Sequence, residues 1–206
     1  AHNFDVLTLN NVNIICRDGL EYLRTMSKVD LIYIDPGRRD NAGRKTVRIE
    51  DCTPDILEIE DLLEEKADIA MIKLSPMLDI SLALKSLKNI SHVHIISVNN
   101  ECKELLFIKD KTGDRTRFHC VNIQNSRTDI FTFYKDEEES VKTNYGLNLG
   151  KYLYEPNASI LKAGAYKRIA EFFELDKLHI SSHLYTSDIL EEAFQGRIFL
   201  IFNTLT

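Results

Sequence analysis

Residues 29–40 read V-D-L-I-Y-I-D-P-G-R-R-D. Leu31, Ile32, Tyr33 and Ile34 form a short apolar run rich in β-branched and aromatic side chains, and Pro36-Gly37 stops it. A run of this kind, bounded by turn residues, is the pattern of a buried strand in a parallel sheet. In an open α/β sheet, ligands bind just beyond the carboxyl ends of the strands. Asp35 to Arg39 therefore stands where chemistry is expected. A carboxylate, a stiff turn and two guanidinium groups suit a reaction loop. A capped turn with two solvated arginines explains the same residues equally well.

Upstream, Val12 to Cys16 (VNIIC) reads as a second buried strand, ended by Arg17-Asp18-Gly19. Leu20, Leu23 and Met26 then recur at helical spacing. Ala1 to Leu9 fits the end of a preceding helix. Strand, helix, strand is the opening of a parallel α/β pattern. Downstream, Thr53-Pro54 has the chemistry of a helix start, Thr as N-cap and Pro at the first helical position. Ile56, Leu57, Ile59, Leu62 and Leu63 give that helix an apolar face, with its acids on the solvated side. A strand over Ala67 to Leu74, a helix from Met77 to Leu87 and a strand over His92 to Val98 follow. Leu105 to Ile108, Phe118 to Ile123 and Ile130 to Tyr134 are short runs separated by turn residues. They read as antiparallel strands closing the sheet edge.

The acidic run at residues 136–139 and the polar stretch to Gly150 place a domain boundary there, dividing the chain into 1–138 and 139–206. The second part shows strand-like KYLYE, a helix over 157–173, a strand over 178–185, a helix over 187–194 and a strand over 197–202. That order fits a small ferredoxin-like α+β domain of split-βαβ type.

The totals of the 206-residue chain exclude several classes. No apolar run approaches the ~20 residues of a membrane span, and no signal-peptide pattern opens the sequence. A cytoplasmic location is the default expectation. The four cysteines (Cys16, Cys52, Cys102, Cys120) form no C-x-x-C pair, so no zinc spacing is present and reduced thiols are expected. His179 and His183 would sit roughly 13 Å apart on an extended run, too far to share a metal. With a formal charge of −6, nucleic-acid binding requires a local patch. One exists: Arg38, Arg39, Arg44, Lys45 and Arg48 lie within residues 38–48, opposed by Asp40 alone. A solvated loop is its bland counterpart.

Three strand tips carry polar groups: Asp35-Pro36-Gly37, Lys73-Leu74-Ser75-Pro76 and Asn99-Asn100-Glu101-Cys102. At the helix before the first of these, Asp18 with Gly19 suits the exocyclic amine of an adenine, a carboxylate beside a residue that permits close backbone approach. Asp18 also suits a helix N-cap. The phosphate-cradling loops G-x-x-x-x-G-K-[ST] and G-x-G-x-x-G do not occur, nor does G-x-S-x-G.

With these residues in view, the first ~135 residues resemble a class I S-adenosylmethionine-dependent methyltransferase with a Rossmann-like sheet, mostly parallel with an antiparallel edge. YIDPGRRD, RIEDCTPD, IKLSPMLDI, NNECKELL and LYEPNASILKAGAYK are similar to a bacterial group of THUMP-like methyltransferases. That group joins a Rossmann methyltransferase domain to a ferredoxin-like segment. The resemblance implies that Asp18 and Gly19 contact the cofactor's adenine, and that Asp35 and Pro36 form the catalytic loop, Asp35 also bordering the cofactor. Gly37 departs from the family's second Pro, and Arg38 from the aromatic that some members stack on a base. Leu74-Ser75-Pro76 lacks the cysteine that covalent C5 chemistry requires.

The family's sheet order, 3-2-1-4-5-7-6, also implies that the strands carrying the glycine-rich cofactor loop and the ribose-binding acid lie outside this sequence. Leu31 to Ile34 would then expose an apolar edge that invites pairing, including a homodimer. The expected function is a partial S-adenosylmethionine-dependent methyltransferase acting on RNA. A non-catalytic RNA-binding or assembly module, and a small-molecule methyltransferase, are the alternatives.

Overall fold

The computed structural model describes residues 2–9, 11–37, 49–50, 52–111, 114–146 and 148–203. Helix α1 (His2–Val6) is followed by a segment without regular structure, and α2 spans Gly19–Thr25. Asp18 caps α2: its Oδ1 accepts the N–H groups of Leu20 and Glu21 at 2.9 and 3.0 Å. The expected strand over Val12 to Cys16 does not form. Val12, Ile14 and Ile15 stand 41%, 50% and 50% exposed, and no described strand offers that stretch an edge. High β-propensity cannot compensate for backbone groups with no ladder partner.

Six strands form the main sheet: β1 (Val29–Ile34), β2 (Ala67–Leu74), β3 (Ile90–Val98), β4 (Glu101–Lys109), β5 (Arg117–Ile123) and β6 (Thr128–Tyr134). Their spatial order is β1-β2-β4-β3-β5-β6. β1 pairs parallel with β2, and β3 with β5. β4 runs against both of its neighbours, and β6 runs against β5. Four strands thus share one direction. The expectation of antiparallel strands at the edge alone is corrected, because β4 lies inside the sheet. The cause is the turn after β3, where Asn99 and Asn100 both adopt positive φ, 49° and 62°. Two such residues make the tight hairpin whose twist matches its strands, so β4 folds straight back and slots between β2 and β3.

One sheet face carries Ile72, Val93, Ile95, Leu105, Phe107 and Cys120, all within 3% of full burial. Each large apolar side chain buried in this way contributes about 1.5–3 kcal/mol. Helices α3 (Ile56–Lys66) and α4 (Ile80–Ser86) belong to this core through Ile56, Ile59, Leu63, Ile80 and Ala83. Their caps are carboxylates. Asp55 caps α3 through the Leu57 N–H at 2.9 Å, which corrects the expectation of Thr53, and Asp79 caps α4 at Leu82 N–H, starting it three residues later than Met77.

The opposite face holds a histidine cluster. His92 Nδ1 and His119 Nε2 lie 2.9 Å apart, and the rings of His94 and His119 stack at 4.3 Å. Burial, with His94, His92 and Arg117 nearby, holds His119 down to about 4, and burial lowers His94 as well. An unfolded histidine takes its proton near 6.5. Stability is therefore fully present above about pH 6.5 and declines as pH falls toward 4, because the unfolded chain binds the proton first. We expect a loss of about 1–3 kcal/mol across that window, allowing for solvent screening of a partly buried ring. Urea denaturation at pH 7 and pH 4.5 measures it, and His119→Gln should flatten the difference.

Helix α5 (Lys135–Ser140) leads from β6 into the second part of the chain and runs across residues 138 and 139. A four-stranded antiparallel sheet follows, in order β10-β7-β9-β8, from β7 (Tyr152–Pro156), β8 (Asp176–Lys177), β9 (Tyr185–Ser187) and β10 (Gly196–Leu200). β7 and β8 run the same way with β9 between them, which is the split-βαβ arrangement. The helix expected over 157–173 is two helices, α6 (Ala158–Ala163) and α7 (Arg168–Phe172), because Gly164 ends α6 at φ 75°. Only glycine takes that cap position without steric cost. Residues 188–195 are loop, not the expected helix, and most of 178–184 is turn rather than strand.

α6 packs on the same side of the main sheet as α3, so Ile160, Ala165 and Ile169 share one core with Val93 and Phe118. Glu138 locks the junction by accepting the backbone N–H groups of Lys167 and Arg168 at 2.8–3.0 Å.

Candidate functional site

The carboxyl ends of β1 and β2 bring Asp35 and Lys73 together. Parallel pairing sets Ile34 beside Ile72, so the next residues meet: Lys73 Nζ lies 2.7 Å from Asp35 Oδ2. Glu104, on the adjoining β4, approaches Lys73 at 3.7 Å. The hydrogen bond to Asp35 raises Lys73 above the usual lysine range, with Glu104 acting in the same direction. Lys73 therefore stays cationic at neutral pH. Asp35 remains half exposed, open to a third partner.

Pro36 is buried, and Gly37 anchors the loop base by a two-way bridge to Thr53. The Gly37 N–H donates to Thr53 O at 2.7 Å, and the Thr53 N–H donates to Gly37 O at 3.0 Å. The loop is thus rigid up to Gly37. Arg38, Arg39, Arg44, Lys45 and Arg48 lie outside the described residues.

The expected adjacency of the Asp35 and Lys73 tips is what the structure shows. Glu104 was missed, since only the insertion of β4 beside β2 brings it there. Asn100 serves the fold: its N–H donates to Asn122 Oδ1 at 3.0 Å, and its Oδ1 accepts the Ala158 N–H at 2.7 Å. It ties the hairpin turn to α6.

A second feature lies along β1. α2 crosses back over the strand and leaves a slot of about 540 Å³ beneath it. Leu20, Leu23, Met26, Leu31, Ile32 and Leu63 give it apolar walls, and Asp18 and Gly19 close one end near Ile34 and Pro54. Both capping bonds of Asp18 go to Oδ1, leaving Oδ2 for another donor. A carboxylate oxygen at the mouth of an apolar slot fits the amine edge and flat face of an adenosine. Asp35 and Pro36 do not line the slot. The structure thus joins Asp18 and Gly19 to one cavity and Asp35 to Lys73, without merging the two. Among the described residues no group of His, Cys, Asp and Glu gathers to hold a metal, and no helix is long and apolar enough to cross a membrane.

Comparison with known proteins matches residues 152–194 to a family of ferredoxin-like domains. The crystal structure of a protein from Porphyromonas gingivalis W83, described as a candidate methyltransferase, superposes with a TM-score of 0.87 at 36% sequence identity. The alignment covers 98% of this chain and 51% of that one. The chain has a methyltransferase-like fold. It carries a ferredoxin-like domain in its second part and spans about half the length of the Porphyromonas protein. A search of the curated proteins finds no match. In the methyltransferase-like part, Asp35 and Lys73 lie at the sheet's carboxyl edge, where such sheets bind ligands.

Proposed function

We propose that this chain is the greater part of the catalytic half of an S-adenosylmethionine-dependent methyltransferase of the class I, THUMP-like kind, with RNA as substrate. The observation that carries the reading is the Asp35–Lys73 pair at the carboxyl edge of a methyltransferase-like sheet. S-adenosylmethionine supplies a methyl group activated by its sulfonium. Asp18 would hold the adenine amine and Gly19 would admit the base closely. Asp35 accepts a hydrogen bond from the substrate amine or hydroxyl and fixes its direction of attack. Lys73 holds the Asp35 carboxylate in one orientation. In-line transfer depends chiefly on such positioning, so a short list of residues is sufficient.

Calorimetric titration of S-adenosylhomocysteine tests the cofactor reading, on this chain and on the polypeptide of the natural reading frame. Saturable binding to either, lost in Asp18→Ala, supports it. Heatless titration of both overturns it.

A non-catalytic RNA-binding module is the second reading, favoured by the separation of Asp35 from the slot. Both readings place RNA phosphate on Arg38, Arg39, Arg44, Lys45 and Arg48. Arg38→Ala combined with Arg39→Ala should then weaken binding of a single-stranded RNA. Its log K against log salt slope should become shallower by roughly 1.4, at about 0.7 for each phosphate no longer neutralised. An unchanged slope in fluorescence anisotropy would remove the patch from the interface.

A further inference from the structure

We infer that the free edge of β1 and the slot beneath α2 are the seat of one further β-strand, supplied by polypeptide outside residues 1–206. This inference is independent of the cofactor reading. The other edge of β1 is bonded to β2, and no described strand meets this one. An edge strand that proteins leave open is normally short, charged or interrupted by proline. β1 has the opposite character: its centre is Leu31-Ile32-Tyr33-Ile34, with Leu31 47% and Tyr33 52% exposed. That is the composition of an interior strand.

The slot has matching dimensions. It runs from Val29 and Met26 at one end to Ile34 and Asp18 at the other, the full length of β1, about 20 Å at ~3.3 Å per residue. An adenosine at the Asp18 end would leave most of it vacant. An extended segment of about six residues, hydrogen-bonded to β1 and apolar on the side facing Leu20, Leu23 and Met26, would fill it. Residues 12–16 show the same deficit, as a β-branched stretch lying exposed and unpaired before α2. In a strand–helix–strand unit the two strands belong to one sheet. Here α2 bridges a gap instead, and a strand seated on β1 offers the first stretch an edge.

The source is argued from length. The Porphyromonas structure aligns with nearly all of this chain, yet about as much polypeptide again lies outside the alignment. A segment of a longer chain is therefore the occupant we assign, ahead of a second copy.

Hydrogen–deuterium exchange on residues 1–206 and on the product of the natural reading frame tests this. In the shorter chain, peptides spanning 12–16 and 29–34 should exchange as freely as loops. In the longer product their exchange should slow at least 100-fold, and the protein should sediment as a monomer. Leu31→Lys gives a second readout. It changes an exposed residue in the shorter chain and should leave its Tm within 1–2 °C, but should lower that of the longer product by more than about 5 °C.

Three results would overturn the inference. One is free exchange of 29–34 in the product of the natural reading frame. Another is protection in the shorter chain that grows with concentration, which assigns the edge to a second copy. The third is equal Tm shifts in both proteins. None involves methyl transfer, so the function proposed above stands or falls separately.

Discussion

Replacing Lys109 with alanine should destabilise the fold by about 3–5 kcal/mol, the usual cost of removing one partner from a buried ion pair. Lys109 ends β4 with 2% of its surface exposed. Its Nζ meets Glu60 Oε1 at 2.9 Å and Glu64 Oε1 at 2.7 Å, and donates to Lys88 O at 2.5 Å. All three bonds are satisfied within the protein, as an ammonium requires. Without it, Glu60, itself 4% exposed, would be a buried carboxylate facing a cavity.

The hydrogen bond from Lys109 also holds the Glu64 carboxyl below the usual glutamate range. Its contribution is present at neutral pH and is lost as pH falls through the folded-state value. Lys109→Ala should remove that part of the acid sensitivity while lowering stability at pH 7. Urea denaturation at pH 7 and pH 4 gives both numbers. Because a buried ion pair replaced whole by apolar groups is often near neutral, Lys109→Met with Glu60→Leu should recover most of the loss. A single-variant loss under 1 kcal/mol would show that this cluster is solvated in solution.

Asp35→Asn should reduce methyl transfer by roughly 100-fold or more, in the range expected for a hydrogen-bonding or proton-accepting group at the reacting centre. The fold should not notice. The Asp35–Lys73 pair is half exposed at Asp35, and exposed pairs are worth about 0–1 kcal/mol. Asparagine keeps the shape and one acceptor but cannot hold Lys73 as an ion. The measurement is transfer of a labelled methyl group to RNA, together with S-adenosylhomocysteine affinity and Tm. Lost transfer with unchanged affinity and Tm places Asp35 at the reacting atoms. Undiminished transfer would move catalysis away from the tip of β1. Lys73→Met should act through Asp35, with a smaller loss that salt does not rescue.

Most of the elements could be read from residue types alone, because their signals are local. Apolar runs bounded by turn residues marked β2 over its whole length and β3, β5 and β6 to within two residues. The ferredoxin-like character of the second part was legible from the order of its strands and the KYLYE start, and Gly164 was the visible signal for the break between α6 and α7. Carboxylate caps at Asp55 and Asp79 lay beside the expected start residues and were open to the same reading.

The amino-acid sequence by itself determined where the chain extends, coils and turns, and that Asp35 stands at a strand tip, since these depend on side-chain shape, capping and backbone freedom over a few residues. The tertiary structure alone decided which strands meet. It inserted β4 beside β2 and brought Glu104 to Lys73. It buried Lys109 against α3, and it left residues 12–16 without a ladder despite their composition. The physical reason is that a strand's hydrogen bonds lie outside itself. Its partner, its burial and the ion pairs at its ends are settled by segments distant in sequence, and propensity holds no record of them.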